Sequence, residues 1–280
     1  MRNTLLRCCA LVTLTSGLLL VPRCAVAQLV DVEVNDAGEA LKHPDAGSKP
    51  TPHMANGHPD LNGVWHHYYN GAREGVKDGN SVKVVAKSPR RPVPPPTKPQ
   101  YKPELVARME DLKIHQAKVD PTFACRPPGV PRLGPPNQIA QTPAELVFLY
   151  SDLTGNYFRV IPTDGRSHNT DADPSYNGVS VGHWERDTLV VDATNFNDES
   201  WLGDNGWFHS SALHVTERLT RHGDTLVYEA TVEDPKVLTQ PWKMTPRTLT
   251  LQDDDLEEAP PCIEMDRSHL TDDSHHDNPR

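Results

Sequence analysis

Cysteine is scarce in this chain, with five in 280 residues, and three of those (Cys8, Cys9 and Cys24) fall at the extreme N-terminus. There is no CxxC pair, no G-x-S-x-G elbow and no glycine-rich phosphate loop. Redox dithiols, serine or cysteine nucleophiles and nucleotide cofactors therefore leave the leading set. Basic residues are also in deficit, 28 Lys and Arg against 38 Asp and Glu, for a formal charge of -10. Such an acidic chain lacks the clustered cations that displace counterions from duplex nucleic acid, or that bind anionic membrane surfaces. A long apolar run is missing too. The stretch from Cys8 to Val21 is uncharged but shorter than the ~20 residues a spanning helix requires, and Arg23 follows it closely.

What that stretch does have is a basic start (Arg2, Arg7), an apolar middle and small residues, Ala25-Val26-Ala27, before Gln28. This is the pattern of a secretory signal, and it predicts a secreted or periplasmic product beginning near Gln28. A membrane anchor is the alternative, but no span is expected. Loss of residues 1–27 would remove three arginines and no acid, moving the charge to about -13. Two cysteines remain, Cys125 and Cys262. In an oxidising compartment they most simply form one disulfide, the sharper alternative being a metal site.

Residues 28–58 read as a flexible leader, because the part after Lys42 is mostly Pro, Gly, His and Asp with little to bury. Residues 59–266 read as one domain. Within it, residues 88–103 are proline-dense and predict an extended surface spacer. Pro103 then suits a first helical position, and Leu105, Val106, Met109 and Leu112 recur at helical period through about Ala117. One amphipathic helix is expected, covering a barrel end or a sheet face. Short alternating segments predict strands at Leu61–Tyr69, Glu145–Ser151, Tyr157–Thr163, Val179–Arg186, Thr188–Thr194, Ala212–Thr220, Thr225–Val232 and Trp242–Leu251. Leu153-Thr154-Gly155-Asn156, Arg186-Asp187 and His222-Gly223-Asp224 carry hairpin-turn chemistry. The fold class is mainly β, an antiparallel meander closed into a lipocalin-like barrel, with a β-sandwich as the alternative. The tail 267–280, rich in Asp, Ser and His, is expected to be disordered.

The G-x-W of Gly63-Val64-Trp65 resembles the entrance strand of lipocalins and their relatives, in which the tryptophan closes one barrel end. A wider set of motifs resembles a family of secreted soil-bacterial proteins. They are Pro59 to Trp65, Cys125 to Arg132, Asp164-Gly165-Arg166-Ser167-His168, Gly182 to Val191, His209 to Leu219, and Glu233-Asp234-Pro235 through Pro241-Trp242. Together they span most of residues 59–264, and they imply kinship without a particular chemistry. The chain departs at Cys262-Ile263-Glu264-Met265-Asp266, where that family has Cys-His-Glu-Gly-Asn, so any role for that histidine is lost here.

Strand parity places Glu217 on one face with Leu213, Val215 and Leu219, aiming a carboxylate inward. Unpartnered, it would favour its neutral form and serve as an acid or base; partnered, it is a structural salt bridge with Arg218 or a neighbouring strand. His183 shares a face with Val179 and Val181, and His67 with Leu61, Trp65 and Tyr69, so both imidazoles are expected inside. Arg166 and His168 follow a strand end, where a barrel mouth is built, and suit oxyanion binding and proton transfer. The connection Asn195–Ser211 carries Phe196, Trp201, Trp207 and Phe208, with His209 after them. It predicts either a lid over an aromatic or terpenoid ligand, or a packed Ω-loop. His209 and His214 fall on opposite strand faces, so no metal is expected.

The leading expectation is therefore a cofactor-independent acid–base enzyme (lyase, isomerase or hydrolase) acting on a small apolar or aromatic compound. Glu217, His183, His168 and Arg166 would be its catalytic groups, and Trp65, His67, Trp201, Trp207, Phe208 and His209 its ligand contacts. The alternative is a non-catalytic binder of small hydrophobic molecules or sugars.

Overall fold

A computed structural model describes residues 46–66, 96–253, 255–259 and 261–262, together with the backbone of strands at 73–78 and 81–86. The expected signal segment, the first part of the leader, the end of the first predicted strand including His67, residues 88–95 of the proline-rich stretch and the tail 267–280 lie outside the described residues.

Nine antiparallel strands form a nearly closed barrel. In spatial order they are β6 (Gly155–Pro162), β5 (Glu145–Asp152), β4 (Gln138–Gln141), β1 (Gly63–His66), β12 (Arg247–Gln252), β10 (Thr225–Glu233), β9 (His214–His222), β8 (Thr188–Thr194) and β7 (Val179–Glu185). The rolled single sheet disposes of the sandwich alternative. Hairpins turn at Leu153-Thr154, Arg186-Asp187 and Gly223-Asp224, within the stretches with turn chemistry. At Gly223, φ is +56° and an added Cβ would lie 2.3 Å from the Ala46 carbonyl, so only glycine fits.

Three strands were not foreseen from the sequence, the short β4 and a separate hairpin, β2 (Arg73–Asp78) with β3 (Ser81–Ala86). The predicted strand Trp242–Leu251 is interrupted. β11 (Trp242–Lys243) pairs with Thr231 and Val232, whereas Arg247 of β12 already pairs with Tyr228. One extra residue is thus accommodated beside Pro246, which has no N–H to give to a ladder.

The helix begins at Pro103 as expected but ends earlier, as α1 (Pro103–Ile114), followed by a single turn, α2 (Gln116–Val119). Leu105, Met109 and Leu112 of α1 face the second of two apolar clusters, while Val106 is exposed. That cluster plugs one end of the barrel. Ala193, Val215 and Val232 from the inner wall meet Phe196, Trp201, Leu202 and Phe208 from the loop between β8 and β9. The other cluster, around Trp65, Phe148, Leu219 and Leu249, fills the opposite half.

Residues 46–60 correct the expectation of a flexible leader. Asp224 donates its N–H to the Ala46 carbonyl at 2.8 Å, Gly223 donates to Thr51 Oγ1 at 2.9 Å, and Arg221 donates to the Asp60 carbonyl. A polar segment with little to bury is held because it satisfies hairpin backbone groups that would otherwise be orphaned. The end of the proline-rich stretch is likewise pinned, with Tyr101 bridging to Leu238 and donating its hydroxyl to the Phe208 carbonyl at 2.6 Å. Cys125 and Cys262 stand at disulfide distance, Cα to Cα 5.7 Å. Among the described residues no helix is long and apolar enough to cross a membrane.

Candidate functional site

Parity along β9 turns Val215, Glu217, Leu219 and Arg221 inward, and Glu217 is fully buried. Its partner comes from β6, the far edge of the sheet. Arg159 donates through Nη2 to Glu217 Oε2 at 2.5 Å and through Nη1 to Oε1 at 3.1 Å. Arg159 also donates to Tyr150 Oη at 3.1 Å and to Ser180 Oγ at 2.9 Å, and the Tyr228 hydroxyl donates to Glu217 Oε1 at 3.0 Å. Burial alone would lower the guanidinium's pKa, but Glu217 and Tyr150 together outweigh it and hold Arg159 above its ordinary value. Burial pushes the Tyr150 hydroxyl up to about 12, and burial together with Glu217 raises Tyr228 as well. Arg159, Tyr150 and Tyr228 therefore each keep one protonation state near neutrality. A carboxylate held in this two-point grip is a structural anion rather than a poised base.

Arg159 was missed in the sequence, although its signal was present. In Tyr157-Phe158-Arg159-Val160-Ile161 the alternation puts Arg159 on the face of Tyr157 and Ile161. The barrel wall there needs it because β6 and β7 are not hydrogen-bonded to each other, and Arg159 ties both edges to β9 from within.

The other catalytic candidates do not converge on this network. His183 does share a face with Val179 and Val181, but that face is the outer one, and the ring is exposed, 3.4 Å from Glu185. The inner face of β7 carries Ser180 and Gly182 instead. Ser180 accepts from Arg159, and an added Cβ at Gly182 would lie 2.8 Å from Ile161 Cγ2, so small residues line the inside. Arg166 is exposed and folded back onto Asp164, with Nε at 2.9 Å from Oδ1.

The aromatic connection is a packed Ω-loop rather than a lid. Trp201 and Phe208 are buried against each other and the barrel end, Trp207 packs edge-on to Trp242 at 5.4 Å, and Arg108 of α1 covers the Phe208 ring at 4.1 Å. No ring face of Trp201 or Phe208 is left for a ligand. Trp65 is equally enclosed. Its indole N–H donates to the Leu61 carbonyl at 2.9 Å and Arg221 lies over the ring at 5.2 Å. His209 is buried and neutral in its surroundings. Its Nδ1 donates to the Ser210 carbonyl at 3.0 Å, its Nε2 accepts from Ser200 Oγ at 2.8 Å, and burial lowers its pKa.

A second polar cluster lies on the outer face of β8, β9 and β10, one group per strand. Asp192 accepts from His168 Nε2 at 2.6 Å through Oδ1 and from His214 Nε2 at 2.5 Å through Oδ2. His214 Nδ1 is 3.2 Å from Glu233 Oε2. Partial burial opposes ionisation of Asp192, but the two imidazoles more than offset it and hold its carboxyl below the usual range. His168 thereby pins the loop after β6 to the barrel wall. Among the described residues no group of three His, Cys, Asp or Glu is placed to hold a metal ion.

His214 and Glu233 also line a half-open groove of about 690 Å³. Its other walls are Ala212, the connection Asp234–Pro241 and Lys102, the residue before α1. The Asp234 carboxylate is held in place by neutral donors, accepting from Ser210 N at 2.7 Å, Ser210 Oγ at 2.9 Å and Lys236 N at 3.1 Å.

No family model, curated protein or solved structure matches this chain.

The groove lies outside the barrel and beside the plugged end. Strand parity in the sequence pointed to the interior, which the core side chains and the Arg159–Glu217 network fill. The signal for the groove was the polar, proline-flanked stretch Glu233-Asp234-Pro235 through Pro241, which alternation does not describe.

Proposed function

We propose that this protein is an exported, non-catalytic binder of a small molecule, held in the groove between the outer wall of β9–β10 and the connection after β10. The carrying observation is the groove itself. At about 690 Å³ it falls within the ~300–1,000 Å³ of small-molecule sites, with Ala212, Pro235, Leu238 and Pro241 as apolar surface and a few polar groups around them. Export is supported by the N-terminal signal pattern and by the Cys125–Cys262 pair, which persists only where thiols oxidise. The acid–base enzyme expected from the sequence has less support. Glu217 is neutralised by Arg159, and His183, His168 and Arg166 are spread over the outer surface.

Titration with a neutral solvatochromic dye, Nile red, tests this reading. Dye emission should rise on binding to the wild-type protein. Thr239→Trp, an exposed position that fills the groove, should remove the response, while Thr216→Trp on the outer wall away from it should not. A response untouched by Thr239→Trp would overturn the proposal.

A further inference from the structure

The opposite charges that line the groove point to the kind of molecule it takes, an inference that rests on the binding role proposed above. Glu233 offers one carboxylate oxygen to His214, and no partner of its second oxygen is seen among the described residues. Lys102 is half-buried at the groove, and among the described residues its ammonium has neither a hydrogen-bond nor an ion-pair partner. The two side chains do not pair with each other either. The same groove is lined by apolar Ala212, Pro235, Leu238 and Pro241, together with Asp234, Thr239 and Gln240.

Each ligand charge type meets a different balance here. An anion gains Lys102 but is set against Glu233 and Asp234, with Asp192 behind His214. A cation gains Glu233 but is set against Lys102. A neutral apolar ligand covers both charges and compensates neither, and stripping water from an uncompensated charge is costly. A zwitterion satisfies both at once, and its apolar body covers the apolar part of the lining. His214 contacts both Asp192 and Glu233 and so orients the Glu233 carboxylate.

We infer that the groove binds a small zwitterion with an apolar body, of dipeptide size, its ammonium on Glu233 and its carboxylate on Lys102. A dipeptide spans at most ~7 Å of backbone, which a site of this volume accommodates.

The test is calorimetric titration of the full chain with Leu-Leu, with N-acetyl-Leu-Leu, which is an anion, and with Leu-Leu amide, which is a cation. Leu-Leu should bind, and each blocked form should bind roughly tenfold or more weakly, the scale of one lost charge-assisted contact. Lys102→Gln should abolish the preference for Leu-Leu over its amide, and Glu233→Gln the preference over the acetylated form, each leaving the other preference intact. Equal binding of all three molecules, or preferences unmoved by the two variants, would overturn the inference. If no peptide binds while Nile red still responds and Thr239→Trp still blocks it, the zwitterion assignment fails and the binding role stands. If Thr239→Trp has no effect on the dye, both fall.

Discussion

Arg159 Nη2 reaches Glu217 Oε2 at 2.5 Å from the opposite edge of the sheet path, across the one seam of the barrel that has no hydrogen-bond ladder. Both side chains are almost wholly enclosed. Removing either leaves an uncompensated buried charge, so Glu217→Gln should cost about 3–5 kcal/mol in urea unfolding. The double variant Arg159→Met/Glu217→Leu should recover most of that loss. A residue of ~1–3 kcal/mol should remain for the hydroxyls of Tyr150, Tyr228 and Ser180 left without partners. A Glu217→Gln protein as stable as wild type would show that the pair does not hold the seam.

Gly182 is the close-approach point of the same seam. An added Cβ would lie 2.8 Å from Ile161 Cγ2 and 3.0 Å from Thr163 Cγ2. Gly182→Val should destabilise by ~1–3 kcal/mol through overpacking, with faster amide exchange in β6 and β7 than in β9 and β10. Ile161→Val should relieve part of the clash. Uniform exchange across all four strands would contradict a seam-specific effect.

The Cys125–Cys262 link closes 137 residues of sequence. Replacing both by Ser should lower stability by up to ~5 kcal/mol in the chain-entropy account. It should also loosen the segment whose Ala259 N–H donates to Asn156 Oδ1 at 2.9 Å. Denaturant midpoints and exchange at Ala259 read the two effects separately, and no change in either would contradict the staple.

His209 sets a pH dependence. Burial lowers its pKa in the folded state below the ordinary value, so the unfolded chain takes up a proton at a pH where the folded one does not. Its contribution to stability is full above the unfolded pKa of ~6.5. It is lost as pH falls toward the folded pKa, below which no further loss occurs. The thermal midpoint of wild type should therefore drop between pH 7.5 and 5.5 more steeply than that of His209→Gln. Parallel profiles would show that the ring does not stay neutral in the fold.

Much of the barrel was legible because alternation reports a strand with one wet face. Thr188–Thr194 matches β8 residue for residue, and Glu145, Val179, Thr225 and Trp242 each begin a strand as read. Parity also placed Glu217 inside, since three leucine and valine neighbours outvote one acid. It failed for His183, because Val179 and Val181 looked like an inner face. Alternation cannot register that Ser180 and Gly182 are inside, to receive Arg159 and make room for Ile161.

By itself, then, the sequence determined most of the strands and turns, the net acidity and the pairing of Cys125 with Cys262, since each depends on near neighbours or on simple counting. Only the tertiary structure decided which cation meets Glu217, that the aromatic connection is a plug instead of a lid, and that a groove forms on the outside of the barrel. Those outcomes depend on groups far apart in the chain competing for the same enclosed space. Local periodicity carries no information about which of them arrive there.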